Sequence, residues 1–272
     1  MISPEEILPG VLFYSYLSAE SKEKVCLWNY HTLVMQLSGT LTLQTATQRI
    51  SISAGETLLI AKNQVGTLSK QPPPGAPYET IVISLQEDLL RRIALEEKIA
   101  ANGKYTGPLN RVVPANEFLQ GYFKSVIPYA RESGVEMTDK LGILKVKEGI
   151  TLLIEALPEL RDLFFDFSEP HKIDLEKFML YNFHFNIPVE QFALITGRSL
   201  AGFKRDFRKT FNSPPRQWLQ GKRLETAKYL IEHERKKPSA IYLDLGFKSL
   251  SHFSYSFKEK YGVSPNQLNW YR

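Results

Sequence analysis

The sequence predicts an α+β protein of two domains: a strand-rich N-terminal half that also carries a helix pair, and an all-α C-terminal domain with two helix-turn-helix units joined by a long helix. Three observations predict it. First, one pattern is written twice at a spacing of 50 residues: Pro188, Phe192, Leu200, Phe203, Phe207, Phe211 and Pro215 recur as Pro238, Tyr242, Leu250, Phe253, Phe257, Tyr261 and Pro265. Within each copy the apolar residues fall every four positions, a helical period. Second, residues 11 to 85 instead form short apolar runs broken by Gly39, Gly55, Gly66 and the turn PPPGAP at 72 to 77, which is the punctuation of strands. Third, the charge divides unevenly. Residues 1–170 hold 16 Lys+Arg against 20 Asp+Glu, a net of −4, and residues 171–272 hold 18 against 9, a net of +9, which together return the overall +5.

The strand candidates are VLFYSYLS, HTLVMQLSG, TLTLQTA, QRISISAG, ETLLIAK and YETIVISL. Several short strands at this spacing predict a barrel or two-sheet roll, with the Pro/Gly cluster as a long surface loop. Cys26, Trp28, Tyr30 and His31 cluster in KVCLWNYH. They either line a ligand cavity in the roll or alternate between core and surface along a strand. From Pro114 to Pro158 the period lengthens. Phe118, Tyr122, Val126 and Tyr129 define one helix, with Pro128 expected to kink or end it. Leu141, Leu144, Ile150, Leu153, Ile154 and Leu157 define a second, with Thr138 or Asp139 as its N-cap. The expected domains are residues 1–160, a connecting segment at 161–172 whose Phe164, Phe165 and Phe167 dock in part on one domain, and residues 173–272.

The C-terminal domain opens with a leading helix over 173–186, Asp174 near its start and Phe178, Tyr181 and Phe185 as its buried stripe. PVEQFALI follows with Pro188 at an early helical position, and Ala193 and Gly197 supply a small side chain and a turn. Ser199 caps SLAGFKRDFRKTF. If Phe203, Phe207 and Phe211 face inward, Ala201, Lys204, Arg205 and Arg208 face out. A long helix from 214 to about 234 carries Trp218, Leu219, Leu224, Ala227 and Leu230 or Ile231. In the second unit Gly246 makes the turn, Phe253 and Phe257 face inward, and Leu250, Ser251, His252, Ser254, Tyr255 and Lys258 face out or toward a backbone. Two such outward faces on a basic domain suit major-groove edges and phosphates, with the long helix setting their spacing.

Two resemblances extend this reading. The stretch 31–61 resembles the cupin-like sensor fold found at the N-terminus of many bacterial regulators, through Gly39 and the SAGETLLI entry at Gly55 and Glu56. Residues 173–270 resemble the DNA-binding domain of the AraC/XylS transcription regulators, in RLETAKYLI (Arg223 to Ile231) and LGFKSLSHFSYSFKEKYGVSP (Leu245 to Pro265). Two positions depart from that family's pattern. Tyr242 stands where a small alanine is usual, implying a wider or rearranged helix crossing, and Tyr255 stands where arginine is common, implying a different base preference.

The resemblance implies a cytoplasmic regulator, usually an activator, that binds double-stranded promoter DNA and contacts RNA polymerase. Its N-terminal domain would form a homodimer, the helix pair being one candidate interface, and would answer a small-molecule effector or a regulatory protein. The DNA-contacting set is then Ala201, Lys204, Arg205, Arg208, Leu250, Ser251, His252, Ser254, Tyr255 and Lys258. An alternative is a cupin-type metalloenzyme with an appended helical domain. Against it, His31 is the only histidine before residue 171, and one imidazole makes no metal site, so neither metal, cofactor nor enzymatic activity is expected. The single cysteine, Cys26, allows no internal disulfide, and no apolar run reaches the roughly 18 to 20 residues that span a bilayer, so no membrane partner is expected.

Overall fold

The computed structural model describes residues 5–18, 21–131, 137–168 and 172–270. The chain divides into two compact units, Met1–Glu169 and Pro170–Arg272. Among the described residues no helix is long and apolar enough to cross a membrane.

The first unit contains two antiparallel sheets. Strands β1 (Glu5–Leu8), β2 (Leu12–Leu17), β9 (Tyr78–Leu85), β4 (His31–Ser38), β7 (Thr57–Ile60) and β10 (Asn110–Val113) form one sheet in that spatial order. Strands β3 (Ser21–Trp28), β8 (Gln64–Gln71), β5 (Thr40–Thr45) and β6 (Arg49–Ser53) form the other. β4 and β9 pair from His31 opposite Leu85 to Ser38 opposite Glu79.

The larger sheet is covered on both sides, which is why β4 is buried at every position from His31 to Gln36. Its Val34 packs with Leu41, Leu43, Ile52, Leu58, Ile60, Trp28 and Tyr78 in the core between the sheets. Leu33 and Met35, one residue to either side, point to the opposite face and join a larger core with helices α1 (Glu87–Glu97), α2 (Glu117–Arg131), α3 (Asp139–Ala156) and α4 (Leu160–Phe165). The period of two along the strand sends alternate side chains to two different cores.

Several details correct the sequence reading. β8 was not anticipated because its sequence, QVGTLSKQ, is largely polar, and β3, Ser21–Trp28, takes up the strand alternative for KVCLWNYH only as far as Trp28 and begins three residues earlier. Gly66 lies inside β8, where a Cβ would meet the Gln44 carbonyl at 2.6 Å and the Trp28 ring at 3.2 Å. It permits a close approach and ends nothing. PPPGAP is the short link from β8 to β9, not a long loop. KVCLWNYH bends at Asn29 and Tyr30, so Trp28 enters the core between the sheets while Tyr30 is exposed. Helix α1 also went unread, although its first-turn Glu87 and Asp88 and its buried Leu90 and Ile93 follow ordinary helical rules.

The helix pair forms as expected, and Thr138 caps α3 by accepting from the Leu141 amide. Pro128 lies within α2 and does not end it. The buried face of α2 is Leu119, Tyr122, Phe123 and Val126, leaving Phe118 exposed. On α3, Leu144 points outward at 54% exposure, and the inner face includes Gly142 and Gly149. A Cβ on Gly149 would lie 2.9 Å from the Tyr122 ring, and one on Gly142 2.6 Å from Leu8. These glycines let neighbours approach closely, so size and not apolarity set this face. Helix α4 takes up 161–165 of the expected connecting segment and buries Phe164 and Phe165 in the first unit's core. Residues 169–171 of that segment lie outside the described residues.

The second unit holds α5 (Leu175–Asn182), α6 (Val189–Ile195), α7 (Leu200–Phe211), α8 (Pro215–Glu232), α9 (Pro238–Ile241) and α10 (Leu250–Tyr261). Asp174 caps α5 by accepting from the Lys177 amide. The buried stripe of α5 is Leu175, Phe178, Met179 and Asn182, while Tyr181 points to solvent.

Candidate nucleic-acid interface

Each repeated copy builds a helix whose inner face is fixed, so that its outer face is presented in a set orientation. In the first, Gly197 at φ +69° turns the chain out of α6, and Ser199 Oγ accepts from the Gly202 amide at 3.1 Å to start α7. Phe203 and Phe207 are completely buried, and the Phe211 ring meets Trp218 of α8 at 4.4 Å between centroids. Asn212, left-handed at φ 50°, ends the helix by donating its amide to the Arg208 carbonyl.

Ala201, Lys204, Arg205 and Arg208 are all exposed. They follow one another at three- and four-residue steps and form a single stripe. Arg205 is 79% exposed and reaches Asp206 at 3.5 Å, while Asp206 also receives Arg198 Nε at 3.2 Å. Those guanidiniums, Arg198 first, hold the Asp206 carboxyl below its usual range. The one acid on α7 is thereby tied both to Arg198 of the turn and to Arg205 of the stripe. Beside the stripe runs a groove of about 850 Å³ lined by Lys204, Arg205, Arg208, Lys209, Arg216 and Glu190, among others. Lys209 and Arg216 were not singled out from sequence. Arg216 follows Pro215 at the start of α8, and only the fold brings it to the α7 groove.

The second copy follows the same plan. Gly246 turns at φ +79°, Ser249 Oγ accepts from the His252 amide at 3.2 Å, and Phe253 and Phe257 are completely buried. Leu250, Ser251, His252, Tyr255 and Lys258 are exposed, with Tyr255 at 69%, and Ser254 is half-buried. Tyr242 is the C-cap of α9, a helix of four residues where α6 has seven. Phe192 at the equivalent place in α6 is completely buried, while Tyr242 packs half-buried against the second core. Where a wider or rearranged crossing was expected at Tyr242, the structure shows that α9 ends one residue before it.

Between the copies lies a cleft of about 420 Å³ in which Arg216, Lys248 and His252 surround an apolar floor that includes Ile187, Leu219 and Phe247. Arg216 lines this cleft and the α7 groove alike. The 18 residues of α8 cover about 27 Å at ~1.5 Å per residue.

In the first unit, His31 is a core residue. Its Nδ1 accepts from the Lys62 amide at 3.3 Å, and its ring meets Phe164 edge-on at 5.6 Å. Burial, with Lys62 nearby, lowers its pKa to about 3, so the ring is neutral near pH 7. Among the described residues no group of three or more His, Cys, Asp or Glu is placed to hold a metal ion.

Two family models match the chain: an ExsA N-terminal regulatory domain over residues 31–162 and a helix-turn-helix domain over residues 192–269. The chain is 30% identical over 93 residues to the virulence regulon transcriptional activator VirF of Yersinia enterocolitica, a match covering 34% of each protein. It is 26% identical over 129 residues to the HTH-type transcriptional regulator ExsA of Pseudomonas aeruginosa, covering 47% of this chain and 46% of that one. The matches thus span about a third to a half of the length of these curated relatives. Among solved structures, ToxT from Vibrio cholerae O395 aligns with 95% of this chain and 96% of its own, at 14% identity and a TM-score of 0.41. A regulatory-domain model thus matches most of the first compact unit and a helix-turn-helix model matches the doubled copies, the arrangement that a resemblance to the AraC/XylS transcription regulators implies.

Proposed function

We propose that the protein activates transcription by binding promoter DNA sequence-specifically, with α7 and α10 entering successive major grooves of one duplex. The observation that carries this reading is the pair of twelve-residue helices, each started by a serine cap and held by two fully buried phenylalanines, each showing solvent a stripe at one-turn intervals. On α7, Lys204, Arg205 and Arg208 offer donors for guanine edges and phosphates, with Ala201 small enough for close approach. On α10, Ser251, His252 and Ser254 offer hydrogen bonds, Leu250 and Tyr255 apolar contact with thymine methyls or sugars, and Lys258 a phosphate contact. VirF, a relative over 93 residues, is named as a transcriptional activator, which supports the direction of the effect.

The first unit supplies control. It receives a small-molecule or protein signal and joins two copies into a homodimer, and the outward Leu144 of α3 and Phe118 of α2 are apolar side chains available to such an interface. Contact with RNA polymerase completes activation.

Binding of the full chain to a duplex selected from a random-sequence pool tests the proposal. Its affinity should exceed that for unrelated duplex by on the order of 10³ or more at about 0.15 M salt, and log K should fall by roughly 0.9 per phosphate neutralised for each unit of log salt. The Lys204→Ala, Arg205→Ala double variant should lose the preference and stay folded. Equal binding to selected and unrelated duplex would overturn the reading.

A further inference from the structure

Helix α8 carries a charged group that contact with DNA does not use. The Arg223 guanidinium donates from Nε to the Phe183 carbonyl at 2.8 Å, from Nη2 to the Phe185 carbonyl at 2.9 Å and from Nη1 to the Gly246 carbonyl at 3.2 Å. Burial lowers its pKa to about 10, so it stays charged at neutral pH. Among the described residues no carboxylate pairs with it; its partners are backbone carbonyls alone.

Those carbonyls belong to two separate stretches of chain. Phe183 is the C-cap of α5, where carbonyls lack helical partners, and Phe185 lies just before the residues that enter α6. Gly246 is the turn of the second unit. The two stretches are also in direct contact, because a Cβ on Gly246 would lie 2.4 Å from the His184 carbonyl and 2.9 Å from Arg223 Cζ. A planar fork of fixed donors can serve three diverging carbonyls at once, whereas a lysine ammonium on its flexible stem cannot hold the same geometry.

The approach to α6 and the turn before α10 are therefore clamped onto one side chain. Val189, which opens α6, is four residues after Phe185, and Leu250, which opens α10, is four residues after Gly246. We propose that Arg223 is a positioning residue: it fixes the rotational phase between the two recognition helices and so the spacing of half-sites that the protein accepts. This rests on the DNA-binding function proposed above. The second copy is seated on α8 through Leu224, Ala227 and Ile231, whereas Arg223 and the Gly246–His184 contact tie it to the chain that leads into α6.

The test uses the full chain and the duplex it selects from a random pool, together with the same duplex lengthened by two base pairs between half-sites and a version with the second half-site scrambled. Two added base pairs turn one half-site by about 70° relative to the other, so the unsubstituted protein should bind the lengthened duplex at least roughly tenfold more weakly. Arg223→Lys and Gly246→Ala should each weaken binding to the correctly spaced duplex by roughly 10- to 100-fold, the range expected for a lost hydrogen bond to a charged group. Both should bind the scrambled-half duplex, held by α7 alone, within about threefold of the unsubstituted protein, and both should shrink the spacing penalty below about threefold.

Equal losses on the full and half duplexes would make Arg223 a plain stability residue and overturn the proposal, as would a spacing penalty that survives in both variants. Should one variant fail to fold, as read by its melting transition, the other carries the measurement, and Arg223→Gln replaces either. If the unsubstituted protein selects no duplex, the DNA-binding function itself fails. If it selects one and both variants keep the penalty, only the positioning role does.

Discussion

Helix α7 shows solvent four basic residues, Lys204, Arg205, Arg208 and Lys209, against the single acid Asp206, whereas α10 has Lys258 and Lys260 against Glu259. Lys260 is further drawn back onto α8, donating to the Gly221 carbonyl at 3.0 Å and pairing with Glu225 at 3.2 Å. Beneath these faces the two copies are nearly the same. Phe203, Phe207 and Phe211 stack in one as Phe253, Phe257 and Tyr261 do in the other. Each copy also has an arginine forked onto backbone carbonyls: Arg198 serves Ile173 and Thr196, and Arg223 serves Phe183, Phe185 and Gly246. Arg198 has Asp206 as a counter-ion and works within the first copy, whereas Arg223 has no carboxylate partner among the described residues and works between the two copies. The cores are alike because each must hold a helix of the same length at the same angle. The outer faces differ because they are exposed and the core does not constrain them, and the first is the more basic.

The largest expected effect tests whether the cores are equivalent. Phe207→Ala and Phe257→Ala each remove a fully buried ring, and each should cost about 3–5 kcal/mol of stability in the second unit by denaturant unfolding. A cost for Phe207 exceeding that for Phe257 by more than ~2 kcal/mol would show that Trp218, at 5.5 Å from the Phe207 ring, makes the first core the dominant one.

Tyr255 then sharpens the contrast between the faces. Tyr255→Ala should cost on the order of 1–3 kcal/mol of discrimination at one position of the second half-site, leaving the first half-site preference intact. Binding to a panel of single-base variants reads both, and a uniform loss across the panel would assign Tyr255 to phosphate contact.

The capping serines offer a smaller comparison. Ser199→Ala and Ser249→Ala should each cost about 1 kcal/mol, read as a fall in the melting transition of the second unit. Since each hydroxyl accepts one amide at 3.1 or 3.2 Å, unequal costs would mean that one cap also sits against DNA or another residue.

Smallest in free energy is the charge test. Arg208→Ala and Lys258→Ala should each lower the slope of log K against log salt by roughly 0.9 if each neutralises one phosphate. An unchanged slope for Arg208→Ala would contradict the view that the first copy carries the charge-driven affinity.

Much of the second unit was legible because its determinants are local. Buried aromatics every four residues, Ser199 before α7, and the turn glycines Gly197 and Gly246 are each readable within a dozen residues, whereas the Ser249 cap of α10 was not singled out. The first unit was less legible where burial depends on partners distant in sequence. Gly66 packs on Gln44 and Trp28, Gly149 on Tyr122, and the segment around Phe164 on His31, and none of these contacts leaves a periodic trace. The polar strand β8 and the polar first half of β3 escaped for the same reason, being identified by the strands they pair with.

By itself, then, the sequence determined the doubled helix-turn-helix, the Ser199 cap, and which side chains of α7 and α10 turn away from the core, save the half-buried Ser254, because helical periodicity ties each residue's direction to its neighbours. The tertiary structure alone decided that α9 stops after four residues, that Lys209 and Arg216 join the α7 groove, and that Arg223 points inward. Arg223 reaches carbonyls 23, 38 and 40 residues away, and a bond to a backbone oxygen places no demand on the type of residue that supplies it.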